Sequence, residues 1–196
     1  IYLSLSDKEK KNVKTGDELL ALIKNMSEFY KSYNNPILNL YPAVFLRGLV
    51  RSGIEMTDFD SQDAMNKHCE YLNHYLQDHA KNYNIAEAEN YKVEVKYNAE
   101  NAKYSFVLHL NDEEHVVLQQ NIIKSSEYKR LKEAYPLIRD FLIEESGGLL
   151  LESDTDKMEI NSFEKLQKTI DDRGQKGLQI QRFKGLGEMM RQQLWE

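Results

Sequence analysis

The chain has 196 residues, 30% of them charged and 41% hydrophobic, with a formal net charge of −6. That length gives one or two domains and a sizeable core. No apolar run approaches the ~18 residues that a spanning helix needs, and no signal-peptide pattern opens the chain. A membrane protein is therefore excluded. The single Cys excludes an intramolecular disulfide framework, and a cytoplasmic setting is expected. The acidic balance argues against a chain that simply coats nucleic acid.

The charge is uneven. Residues 173–196 hold five basic residues against Glu188 and Glu196, a net of +3. The other 172 residues hold 21 basic and 30 acidic residues, a net of −9. An acidic body followed by a basic tail points to an anionic partner for the tail alone.

In chain order, Ile1, Leu3 and Leu5 alternate with Tyr2 and Ser4, as in a strand. Residues 7–16 are polar and read as a hairpin turn or exposed loop. Asp17 is the expected cap of a helix through Leu19, Leu22, Ile23, Met26, Phe29 and Tyr30, ended by Asn34-Asn35-Pro36. A second helix passes through Leu40, Val44, Phe45, Leu49 and Val50, is punctuated by Pro42 and ends near Gly53.

A third opens near Asp60 or Ser61, with Met65, Cys69, Leu72 and Leu76 on one face. The period then changes to two. Tyr91, Val93, Val95 and Tyr97 alternate, as do Tyr104, Phe106, Leu108 and Leu110, with a turn at Asn98–Asn101 and a further strand at His115–Leu118. Ser125 or Ser126 caps a helix expected to run to about Glu145, closed by Gly147-Gly148. Another begins at Asn161 or Ser162 and ends at Gly174. Leu178 and Ile180 mark a last strand, which leads through Lys184-Gly185-Leu186-Gly187 into a final helix. The expected class is α+β, helices with an antiparallel β-meander. Both termini look cut from something longer: the chain opens in a strand and stops inside a helix at Trp195-Glu196.

Three groups invite a chemical reading. His68, Cys69, His74 and His79 are close in sequence, but no pair has the i, i+4 or CxxC spacing of a tetrahedral zinc site. A buried thiol among solvated histidines is the better account. Glu152, Asp154 and Asp156 have a spacing that could hold Mg²⁺ for a nuclease-like reaction, against which stands a solvated acidic loop. Tyr91, Tyr97 and Tyr104 could stack bases from a sheet face, but the acidic surroundings favour residues at the edge of the core.

The tail is more particular. Gly185 and Gly187 permit close backbone approach, the helix after them starts with unpaired N–H groups, and Arg182 and Lys184 leave the strand on one face. Such a corner suits a phosphate, and it equally suits a structural glycine turn beside a solvated lysine. It is not a Walker loop, because GxxxxGK[ST] is absent.

The run Ile180-Gln181-Arg182-Phe183-Lys184-Gly185-Leu186-Gly187-Glu188-Met189, with Gln193-Leu194-Trp195-Glu196, resembles the late TOPRIM segment of bacterial DNA gyrase B subunits, usually QRYKGLGEM-N-P-x-QLWE. Phe183 replaces the family's Tyr, and Met190-Arg191 replace its Asn-Pro, which removes a proline from the first turn of the last helix. Residues 1–172 resemble, more loosely, the large insertion of many such subunits, for example at Leu40-Tyr41-Pro42-Ala43 and Glu127-Tyr128-Lys129-Arg130-Leu131. The resemblance implies an insert domain at 1–172 and the C-terminal part of a TOPRIM domain at 173–196, ending in a strand–Gly turn–helix piece.

It also implies a parent that is an ATP-dependent type IIA topoisomerase supercoiling DNA with Mg²⁺. The implied partners are the DNA gyrase A subunit, DNA itself and the remaining domains of the B subunit. The family's magnesium-binding acids lie upstream of the insertion, so Glu152, Asp154 and Asp156 are not those residues. No catalytic residue, metal ligand or cofactor site is expected in this chain. Arg182, Lys184, Gly185 and Gly187 would face DNA near the cleavage site. Two alternatives stay open: a stand-alone interaction module sharing only the tail motif, and a nuclease using the acidic run.

Overall fold

The computed structural model describes residues 3–7, 11–83 and 90–177. The chain falls into two units, residues 1–163 and 164–196, and the second is described only through one helix. The class is α+β, as expected.

In the first unit, β1 (Leu3–Asp7) turns back into β2 (Val13–Thr15). The Asp7 carboxylate organises that turn by accepting the backbone N–H groups of Lys11 and Asn12 and the Asn12 side-chain amide. Helix α1 (Gly16–Tyr33) follows. Its N-cap position is Thr15, with no side-chain cap bond, and Gly16 turns the chain at φ +51°. Asp17 therefore does not cap the helix. It lies in the first turn, where a carboxylate still meets the helix dipole favourably.

Helix α2 (Ala43–Ser52) starts later than the apolar pattern suggested, because Pro42 occupies its N-cap position, and Gly53 closes it in the left-handed region at φ +69°. A short 3₁₀ turn (Met56–Asp60) then precedes α3 (Gln62–Tyr83). Ser61, not Asp60, caps α3, its hydroxyl accepting the Ala64 N–H at 3.3 Å.

The meander is β3 (Tyr91–Asn98), β4 (Lys103–Leu110) and β5 (Glu113–Leu118), antiparallel in that order. Asn111 and Asp112 both adopt positive φ, which is what a two-residue type I′ hairpin needs. One irregularity between Leu108 and His109 shifts the β4–β5 register.

A five-residue helix, α4 (Gln120–Lys124), leads to α5 (Ser126–Ile138), capped by Ser125 through the Tyr128 N–H. The single helix expected up to Glu145 is broken. Pro136 lies inside α5 and offers no N–H to its last turn, a 3₁₀ turn (Arg139–Phe141) follows, and Leu142 is extended before the short α6 (Ile143–Ser146).

The acidic stretch expected as a solvated loop is the turn of an unexpected hairpin, β6 (Leu149–Ser153) and β7 (Lys157–Ile160). β6 pairs antiparallel with β1, giving a four-stranded sheet in the order β2-β1-β6-β7, with Leu5 opposite Leu151.

The core joins these pieces. Helix α1 packs against α5, with Phe29 edge-on to Tyr33 at 4.8 Å and near Tyr135 at 6.2 Å. Helix α2 crosses α3 at Gly48. A Cβ there would lie 2.6 Å from the Tyr75 ring, so only glycine lets the two helices come this close. Leu5, Met26, Phe45, Leu72, Phe106 and Leu151 are fully buried.

In the second unit, α7 (Phe163–Gly177) runs past Gly174, where a stop was expected. The strand and final helix expected beyond it lie outside the described residues.

Candidate functional site

The four residues singled out in the tail, Arg182, Lys184, Gly185 and Gly187, lie outside the described residues. The structure instead accounts for the other candidate groups, and it separates them.

The histidines and the cysteine do not converge. His68 Nε2 meets the Asp58 carboxylate at 3.0 Å, across the 3₁₀ turn that precedes α3. His74 pairs with Asp78 one turn along the same helix, at 3.1 Å. His79 is not solvated as expected: it is buried, its ring 3.9 Å from that of Tyr75 and its Nδ1 3.1 Å from the Tyr75 carbonyl. Tyr75 also carries the Arg51 guanidinium over its face at 5.4 Å.

Cys69 is half-buried and its thiol donates to the Val93 carbonyl at 3.1 Å. Burial, reinforced by the carboxylates of Glu94 and Glu70, pushes the thiol up to about 11. It stays protonated and unreactive at neutral pH.

Beside it, Asn73 does a structural task that composition does not announce. Its side-chain amide donates to the Val93 carbonyl and accepts the Val93 N–H, both at 2.8 Å. That is the pattern of a neighbouring strand, supplied by a helix to the outer edge of β3. The opposite edge of the sheet receives a related cap, as the Tyr41 hydroxyl donates to the Val117 carbonyl at 3.1 Å.

The acidic run is a hairpin turn. Glu152 pairs with Lys157 at 3.2 Å, and the Asp156 carboxylate accepts the Lys157 N–H at 2.8 Å while its carbonyl accepts the Ser153 N–H. Turn bonding and a lysine occupy this stretch. Among the described residues no group of three or more His, Cys, Asp or Glu side chains could hold a metal ion. No helix among them is long and apolar enough to cross a membrane.

Tyr97 and Tyr104, opposite each other on β3 and β4, have ring centres 5.0 Å apart, and Tyr97 is 54% exposed. They lie at one end of the meander, beside two adjoining clefts of about 170 and 360 Å³ that share Asn98, Ser105 and Gln119. Sequence patterns missed this place. Its amides come from the β3–β4 turn and from the start of α4, some twenty residues apart, and join only through the β4–β5 pairing.

The comparisons with known proteins agree with one another. Residues 4–172 match the family described as DNA gyrase B subunit insert domain. The chain belongs to that family. Residues 175–196 match the family described as DNA gyrase B subunit, carboxyl terminus. The B subunit of a type 2 topoisomerase from Aquifex aeolicus (strain VF5) is 25% identical over 206 residues. That match covers 98% of this chain and 22% of the relative's length. In this gyrase B insert domain the described histidines and carboxylates are engaged separately, His68 with Asp58, His74 with Asp78, His79 with the Tyr75 carbonyl and Glu152 with Lys157.

Proposed function

We propose that this chain serves an ATP-dependent type IIA topoisomerase that negatively supercoils DNA, with an insert domain at residues 1–172 and a TOPRIM end at 173–196. The observation that carries the reading is the consecutive pair of family matches, insert over 4–172 and carboxyl terminus over 175–196, in one chain. In this reading Arg182 and Lys184, with the backbone of Gly185 and Gly187, contact DNA phosphate near the cleavage site. The net charge of +3 in residues 173–196 supports that contact.

The insert is a structural and interaction element. Its net charge of −9 favours contact with protein, either the gyrase A subunit or the remaining domains of the B protein, over contact with DNA. The enzyme would act in the cytoplasm. Mg²⁺ and ATP serve other parts of it, and no residue of this chain is assigned to either. The chain alone would therefore be inactive.

Removing residues 7–172 from the full-length protein tests the insert's role. The expected result is reduced supercoiling by the assembled enzyme. Unchanged supercoiling together with unchanged DNA affinity would overturn it.

A further inference from the structure

The paired clefts at the end of the β3–β4–β5 sheet have a lining unlike the acidic body around them. They contain five side-chain amides, three lysines, two tyrosines and a single carboxylate, Glu100. We propose that they form a docking site for a polar, acidic polypeptide segment of the assembled enzyme. The proposal rests on the reading of the insert as an interaction element, and names where and what it binds.

The chemistry distinguishes a polypeptide from a nucleic acid. Binding a phosphate backbone gains from uncompensated cations. Two of the three lysines are already compensated, Lys103 by Asp60 and Lys96 by Glu114 at 3.8 Å. Lys124 is exposed and makes no ion pair among the described residues, so one acidic side chain would find a partner there.

The amides present both kinds of hydrogen-bonding group. Asn98 and Asn101 have their oxygens committed to turn N–H groups of Glu100 and Lys103, which leaves their NH₂ donors. Gln120 has its Nε2 committed to the Met56 carbonyl, which leaves its acceptor oxygen. A peptide group carries one donor and one acceptor and can satisfy both sets, whereas a phosphate only accepts. Tyr97 adds a large exposed ring of the kind that anchors protein interfaces.

The test uses the full-length protein in its assembled enzyme with DNA. A photo-crosslinking amino acid is placed at exposed Asn121, and a control at exposed Glu113, at the other end of β5, a strand about 17 Å long at ~3.3 Å per residue. The expected result is a polypeptide adduct at Asn121, traced by mass spectrometry to one acidic segment and absent at Glu113. Lys124→Glu should lower its yield several-fold without changing thermal unfolding. Adducts with DNA, or no polypeptide adduct above the control, would overturn the proposal. If the deletion of residues 7–172 still impairs supercoiling while Asn121 captures nothing, the cleft assignment fails and the broader reading survives.

Discussion

The two sheets of the insert solve the problem of strand edges differently. The meander β3-β4-β5 is local, each strand pairing with its neighbour in sequence, and its edges are met by helix and turn side chains, Asn73 and Cys69 at Val93 and Tyr41 at Val117. The sheet β2-β1-β6-β7 is non-local. Its centre joins β1 to β6 across more than 140 residues of chain, through Leu5 and Leu151. The lesson is that local pairing needs side-chain capping to stay solitary, whereas long-range pairing needs apolar burial to offset the entropy of closing its loop.

If that contrast is right, the largest effect comes from the long-range sheet. Leu5→Ala removes a fully buried side chain opposite Leu151 and should cost about 2–5 kcal/mol, read as a lower urea midpoint with an unchanged slope. A cost below ~1 kcal/mol would mean that the β1–β6 seam does not hold the unit together. An intermediate effect is expected at the capped edge. Asn73→Ala strips both edge bonds from Val93 and should cost about 1–3 kcal/mol, with self-association appearing in sedimentation as β3 is uncapped. Neither effect appearing would show that the cap is incidental. The smallest effect is a gain. Ala102 sits at φ +53° in the β3–β4 turn, so Ala102→Gly should stabilise by about 0.5 kcal/mol, the relieved strain slightly exceeding the added chain entropy.

The same contrast explains what was legible in the sequence. The meander could be read because β3 buries one face, so Tyr91, Val93 and Val95 alternate with Lys92, Glu94 and Lys96, and because a short turn joins it to β4, the central strand, in which Ser105 to Leu108 are all buried. In the long-range sheet β1 was legible, from Leu3 and Leu5 alternating with Ser4 and Ser6, but β6 and β7 were not. Leu149, Leu150 and Leu151 are all buried, which erases the alternation, β7 has only four residues, and the partner β1 lies at the other end of the chain. Pro136 and the 3₁₀ turn after it broke a helix whose apolar spacing continued unchanged to Ile143.

Among site candidates, helical spacing distributed His68, His74 and His79 along α3, where each has its own partner. It also carried a signal that the expectation of solvated histidines passed over: His79 lies three residues after Leu76 and continues the apolar stripe of α3, so its inward turn against Tyr75 follows from the spacing. The cleft at Asn98 and Gln120, by contrast, was invisible. Amides scattered over a turn and a helix start form no motif until the strands between them pair.

The division of charge between an acidic insert and a basic tail is the central claim, and Lys184 tests it most directly. DNA affinity of the full-length protein is measured over a range of salt concentrations, with and without Lys184→Ala. The account predicts weaker binding and a slope of log K against log salt that is smaller by about 0.9, the signature of one fewer neutralised phosphate. An unaltered slope would contradict it.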